Sequence, residues 1–495
     1  MKNRFCILLL LLVLCSCAAR KVKYDPSKKY SPKQLLEDYS LFRKILEESH
    51  PSLYWYTPKD SVNYYFEAGA AQLKDSLPEY KFHLILSTVL SHLRCGHTTV
   101  RASEAATRYA DIYRTIMFPL GLKIWNDTAV ITSNVSKTDS MIGRGMVLRS
   151  IEGRPISNIA DSLFQFISAD GYNTTHKYQT LSNPGAFRIM YGSAFGLKPK
   201  MQIGILDANG TERNVSISIY NPAKDTLHLQ QAVRVLTKKE RKEIVRSSNR
   251  NMRIDSSLNT AFMEVNTFTK NNDLRGFFRR SFRRLRRQKV ENLVIDVRGN
   301  GGGSVVLSNL LTRYIADKPF KIADSLYALK RKSSYGKYQE NYALNRLFLL
   351  FMTHKKKDGH YHFSLYENKY FKPKLRNHFN GQVYLLTGGN TFSAAVLFTK
   401  ALSHQANVTT VGEETGGGAY GNTAWLIPDV TLPNTKLRFR LPLFRLVIDR
   451  NAQKGRGVIP QVYVGPTVEA IRRNVDYKME KVEQMIRERS AGNKE

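Results

Sequence analysis

Two turns in the C-terminal half carry residue types suited to chemistry. In Asp296-Val297-Arg298-Gly299-Asn300-Gly301-Gly302-Gly303, an apolar run enters a polar, glycine-rich turn ahead of a helical stretch. Glycines let successive backbone N–H groups turn toward one oxygen, so such a turn can cradle a phosphate or stabilise an oxyanion. The spacing is not a dinucleotide fingerprint, and the Gly-Lys-Ser/Thr ending of a nucleotide-phosphate loop is missing. In Leu385-Leu386-Thr387-Gly388-Gly389-Asn390-Thr391-Phe392-Ser393-Ala394-Ala395, a second apolar run enters a turn, and Ser393 stands where the next helix begins. A serine there can simply cap the helix. It also gains as a nucleophile from the helix N-terminus, with the Ala394 amide able to donate to an oxyanion.

The elements that must hold these turns alternate. Strands are expected at 261–265, 292–297, 383–386 and 409–412, and helices at 273–288, 305–316 and 393–404. Strand and helix in alternation imply an α/β fold with a parallel, helix-covered core over 225–495. Residues 317–379, rich in Lys, Tyr and Phe, read as an insertion forming a surface cap. Residues 31–110 read as a small helical domain with helices starting at Ser31-Pro32 and spanning 61–77 and 80–93. Residues 115–222 read as short strands broken by Gly, Asn and Asp. The chain's 495 residues suit about three domains.

Composition narrows the class. At 42% hydrophobic the chain is too apolar for wholesale disorder, and its net charge of +35 favours anionic surfaces. Of Cys6, Cys15, Cys17 and Cys95, three fall in the first seventeen residues, so a disulfide framework is excluded, and no CxxC pair offers a thiolate metal site. Seven arginines at 275–287 interleave with Phe277, Phe278, Phe282 and Leu285. They could form a nucleic-acid or membrane patch. The spacing of Phe278, Phe282 and Leu285 is that of a core stripe beneath a solvated face, and that is the expectation.

The N-terminus reads as an address. Lys2 and Arg4 precede an apolar run at 7–14, too short to span a bilayer, and Leu14-Cys15-Ser16-Cys17 resembles a bacterial lipobox. The resemblance implies a signal peptide over 1–16, lipidation of Cys17, a linker over 17–30, and a place in the bacterial cell envelope, facing the periplasm or exterior. Such export argues against nucleic acid as a partner. Gly145-Met146-Val147-Leu148-Arg149-Ser150-Ile151-Glu152-Gly153-Arg154-Pro155-Ile156 resembles a signature stretch of bacterial PDZ domains. That likeness makes Phe118-Pro119-Leu120-Gly121-Leu122 the carboxylate-binding loop, with Leu120, Gly121 and Leu122 as peptide-binding residues.

Four blocks then occur in order: the Asp296 turn, Thr391-Phe392-Ser393-Ala394-Ala395, Val411-Gly412-Glu413-Glu414-Thr415-Gly416-Gly417-Gly418 and Gly457-Val458-Ile459-Pro460. Together they resemble the tail-specific (carboxyl-terminal processing) serine peptidases. The resemblance implies a crotonase-like α/β peptidase core, peptide-bond hydrolysis with Ser393 as nucleophile, protein or peptide substrates, and no metal or other cofactor. The oligomeric state is not implied. The lysine that one branch places after its Thr-x-Gly stretch is absent from Thr415-Gly416-Gly417-Gly418-Ala419-Tyr420-Gly421. The other branch, similar to the tricorn core, takes a histidine from ahead of the PDZ domain, and Cys95-Gly96-His97-Thr98 resembles its Asp-Gly-His-Thr element. His97 is thereby implied as the base, with the amides of Gly301 or Gly302 and Ala394 as oxyanion donors. Where that branch has a glutamate near its last block, this chain has Lys454, so Glu414 or Asp449 is left to orient the base. The expectation is an exported, lipid-anchored serine peptidase working through serine and histidine, with a pH limb near histidine's ordinary value of about 6.5. The rival is an inactive peptide- or ligand-binding protein on the same scaffold.

Overall fold

Apolar runs buried on both faces make the central sheet. The computed structural model describes residues 24–113, 116–136, 142–207, 209–224 and 236–492. The segment expected as a leader at 1–16, Cys17, the expected linker up to residue 23 and the expected boundary at Asp225 lie outside them. The sheet runs Arg250–Asp255, Thr260–Val265, Asn292–Asp296, Gln382–Thr387, Val408–Gly412 and Val462–Tyr463 in that order, with the first pair antiparallel and every later pair parallel. Every residue of Asn292–Asp296 is buried, as a strand covered by helices on both faces requires. Leu274–Arg287 lays Phe278, Phe282 and Leu285 into that core, each buried, while its arginines face outward. Burying each such side chain is worth about 1.5–3 kcal/mol. The fold is α/β.

The N-terminal helices are Pro32–Ser49, Lys59–Ala70 and Glu79–His92. Ser31 and Gln34 cap the first reciprocally. The second stops at Ala70, well short of the expected 77. Phe42 and Phe66 share one hydrophobic core with the central sheet.

The following region is less purely β than the sequence suggested. Its strands Leu120–Trp125, Thr128–Asn134, Val147–Ile151, Lys200–Leu206 and Glu212–Ser218 pair in chain order. Three helices, Ile156–Phe164, Thr174–Ser182 and Ala186–Phe195, interrupt them. Leu120 and Leu122 are buried in this region's own core, so their side chains are spent on packing. Helix Thr174–Ser182 lies against Leu120–Trp125, and the Ile124 amide donates to Ser182 Oγ at 2.9 Å. Part of the strand edge that a captured peptide would need is therefore occupied from within.

The segment expected as a surface cap is built into the body. Its strand Ser325–Ala328 pairs with Arg445–Val447, and Leu326, Ala328 and Phe363 belong to the main core. Among the described residues, no helix is long and apolar enough to cross a membrane.

Candidate active site

The parallel strands deliver both chemical turns to one end of the sheet, where open α/β sheets place ligands. Thr391 Oγ1 donates to Val297 O at 2.9 Å and the Phe392 amide donates to Asn300 O at 3.0 Å, pinning the two turns together. Ser393 is then forced to φ 55° and ψ −121° before helix Ala394–Leu402 begins. Its side chain makes no capping bond, so the cap reading lapses here. A non-glycine residue held so far from the allowed regions costs about 1–3 kcal/mol and is typical of functional turns.

The glycines divide their roles. Gly302 sits at φ +100°, and a Cβ there would stand 2.7 Å from Ser393 Cβ and 3.0 Å from the Ala394 nitrogen. Its amide is already given to Asn300 Oδ1 at 2.9 Å. Gly302 is thus the glycine of close approach rather than an oxyanion donor, which corrects the sequence reading. The amides of Gly301 and Ala394 have no acceptor among the described residues, and both residues line the cleft beside Ser393. That cleft has a volume of about 830 Å³.

His97 reaches the same cleft from nearly three hundred residues away in sequence. Strand Val100–Arg101 pairs with Arg438–Arg440 and so ties the His97 loop to the C-terminal half. The imidazole is 3% exposed and packs on the Phe392 ring, 4.8 Å between centroids. Neither ring nitrogen has a hydrogen-bonding partner among the described residues, so no bond to Ser393 is formed in this state. Apo sites often close such bonds only around substrate. Burial, with the charges of Arg440 and His176, drives the His97 pKa down to about 3. A second histidine, His176, lines the cleft and also packs on Phe392, 4.9 Å between centroids, its Nδ1 bonded to Gly389 O at 2.9 Å.

The carboxylate beside His97 is one the sequence reading missed. Asp170 Oδ1 stands 4.0 Å from His97 Nδ1. Asp170 is 1% exposed, and its two oxygens accept the amides of Gly96 (2.8 Å) and Gly418 (3.1 Å). Burial pushes its carboxyl up to about 6 against the pull of those two amides. Gly96 is required there, since a Cβ would meet the Phe392 ring at 2.6 Å.

The orienters expected from sequence are committed elsewhere. Glu414 holds Arg456 through two bonds of 3.0 and 2.7 Å and accepts the Gly457 amide at 2.6 Å. Asp449 pairs with Lys400 at 2.8 Å. Lys454 is exposed over the Trp55 and Tyr56 rings and is not among the cleft-lining residues. Cys95, standing where the resembled element has an acid, bonds Thr423 and Thr98, and burial raises its thiol to about 11. Glu413 forms a buried pair with Lys478. Leu120, Gly121 and Leu122 belong to the separate five-strand region and not to this cleft.

Comparison with known proteins bears on the same segment. Residues 259–464 match peptidase family S41. That is a family of serine peptidases, and the match contains both turns and Ser393 but not His97 or Asp170. Among solved structures, the fold is similar to mature CPAF complexed with lactacystin, with a TM-score of 0.63, 15% identity, and coverage of 92% of this chain and 98% of that one. A crystal structure of mature CPAF gives a TM-score of 0.63 at 17% identity, with coverage of 92% and 98%. A serine-to-alanine mutant of CPAF gives 0.64 at 14%, with coverage of 92% and 97%. At such identities the likeness is one of fold. It extends well beyond the S41 match, into the helices and the strand region ahead of it. No curated protein matches this chain.

Proposed function

We propose that the chain is a serine peptidase in which Ser393, His97 and Asp170 act together. Ser393 Oγ attacks the scissile carbonyl, and His97 Nε2 takes its proton and returns it to the leaving amine. Asp170 accepts from His97 Nδ1 and stabilises the imidazolium that forms. The Gly301 and Ala394 amides receive the oxyanion, where losing one donor typically raises the barrier by about 3 kcal/mol. The observation that carries the reading is the strained Ser393 turn sharing one cleft with a buried, unpartnered imidazole that has a carboxylate 4.0 Å behind it. No lysine enters the scheme: Lys478, the buried lysine near these strand ends, is held by Glu413.

The test is hydrolysis of an unfolded protein followed by mass spectrometry. Wild type cuts, while Ser393→Ala and His97→Gln fall to a similar floor, because residues acting as a unit are not additive. Equal cutting by wild type and Ser393→Ala would refute the assignment and favour the inactive binding protein.

The same proposal puts the enzyme in a bacterial envelope, held by lipid at Cys17. Its support is the short apolar run at 7–14 ending in Leu14-Cys15-Ser16-Cys17. Cys17→Ser should move the protein from the detergent phase to the aqueous phase, and a wild-type protein already found in the aqueous phase would overturn it.

A further inference from the structure

The cleft around Ser393 has an unbalanced charge. Two cationic side chains, Arg440 and Lys270, line it, and no Asp or Glu is among its lining residues. Arg440 ends strand Arg438–Arg440, opposite Asp429 in register. The Asp429 carboxylate is taken by Arg101 at 3.0 Å and Arg438 at 3.7 Å. Among the described residues, no carboxylate lies within ion-pair distance of the Arg440 guanidinium. Burial of this half-covered group and the nearby charge of Arg101 weigh against its own charge, and Asp429 offsets them only from beyond ion-pair distance, so the arginine is incompletely compensated here.

A second group in the same cleft is also left unpaired. Asn422, in strand Gly421–Asn422, is 2% exposed and lines the cleft, yet neither atom of its amide has a partner among the described residues. A buried, unsatisfied amide typically costs about 1–3 kcal/mol. The neighbouring wall is strained as well: Trp425 and Leu426, both lining residues, hold φ 71° and 26°. A cation without an ion-pair partner and a buried amide without a hydrogen-bond partner therefore share one cavity. A ligand that accepts hydrogen bonds and carries negative charge would answer the guanidinium and the Asn422 Nδ2 donor. A guanidinium meets a carboxylate through two parallel N–H bonds, a geometry an ammonium cannot reproduce.

We infer that Arg440, with Asn422, forms a carboxylate-binding subsite, so that the peptides presented to Ser393 carry an acidic group near the bond that is cut. The group is an Asp or Glu side chain. This inference rests on the peptidase reading for its function, but the subsite itself is a matter of binding.

The test therefore measures binding apart from cutting. Fluorescent peptides in matched pairs, Glu against Gln at each position and free acid against amide at the C-terminus, are titrated into the full-length Ser393→Ala protein by anisotropy. One Glu/Gln pair should show a preference for the carboxylate of about tenfold or more. A preference in a Glu/Gln pair supports the inference, and one confined to the acid/amide pair overturns it, since it would be chain-end capture and not recognition of an acidic side chain. Arg440→Gln should reduce that preference to within twofold, Arg440→Lys should leave an intermediate value, and Asn422→Leu should lower it. Binding within twofold for every pair, or a preference untouched in Arg440→Gln, overturns the inference. Hydrolysis by wild type runs in parallel. Cutting without acid preference removes the subsite and leaves the peptidase reading standing. Acid preference without cutting removes the peptidase reading and leaves the subsite.

Discussion

Asp170 stands 4.0 Å from His97 Nδ1 while both of its oxygens are already held by backbone amides. The carboxylate is fixed in place before the imidazole bonds to it. A closing of roughly 1 Å would convert the approach into a hydrogen bond. Those two amides, from Gly96 and Gly418, tie the loop that carries His97 to the loop that follows strand Val408–Gly412.

The first consequence concerns pH. Burial and the charges of Arg440 and His176 hold His97 down to about 3, so it is neutral through the working range and contributes no limb near 6.5. Asp170 is raised by burial to about 6, so its carboxylate form is lost as pH falls through that value. The expected kcat/KM profile therefore rises with pH through a limb near 6. Asp170→Asn should lower the rate by roughly a hundredfold or more and abolish that limb. A limb that survives in Asp170→Asn would contradict the assignment.

Ser393 stores strain that glycine would release. Ser393→Gly should raise the thermal midpoint relative to Ser393→Ala, by the equivalent of about 1 kcal/mol, because alanine keeps the penalty at φ 55° and glycine does not. Both should be inactive. Equal midpoints would show that the turn is not strained.

Much of this arrangement was legible in the sequence, for local reasons. The runs at Asn292–Asp296 and Gln382–Thr387 are apolar in their middles, and the turns after them are marked by glycine and serine, so both turns were visible as chemical. Asp170 was not. It sits 74 residues from its amide partner Gly96, in a region that reads as short strands broken by Gly, Asn and Asp. The signal available was an Asp-Gly pair, which reads as an ordinary turn, and nothing local says which loop it meets. Glu414 and Asp449 drew attention because they lie near the recognisable blocks, but sequence proximity does not show that Arg456 and Lys400 already claim them. Gly302 was counted as a donor because glycine frees a backbone amide. Its neighbour Asn300 takes that amide instead. The helices Ile156–Phe164, Thr174–Ser182 and Ala186–Phe195 are short; the first does place Ile156, Ile159, Ala160 and Leu163 at helical spacing, a signal passed over in a region read as strands, while Thr174–Ser182 buries only Leu181.

Gly302 should tolerate no side chain. Gly302→Ala places a methyl 2.7 Å from Ser393 Cβ on a backbone at φ +100°. The expected outcome is loss of hydrolysis by at least a hundredfold, with a stability loss of about 1–3 kcal/mol. Unchanged hydrolysis would mean that the two turns are not held at this separation during reaction.

The Lys478–Glu413 pair should prove structural. Both side chains are buried, at 5% and 8% exposure. Removing one partner leaves a buried charge, so Lys478→Met should destabilise the protein by about 3–5 kcal/mol in urea unfolding. A fully stable Lys478→Met protein that has lost only activity would instead make Lys478 a participant in the chemistry.

The central claim is that Ser393 is a nucleophile activated by His97. A fluorophosphonate probe needs no substrate preference, and its adduct can be mapped by peptide mass spectrometry. The expected result is a single adduct on Ser393 in wild type, absent in Ser393→Ala and slowed by at least a hundredfold in His97→Gln. No adduct on Ser393 in the folded wild-type protein, or labelling at an undiminished rate in His97→Gln, would contradict it.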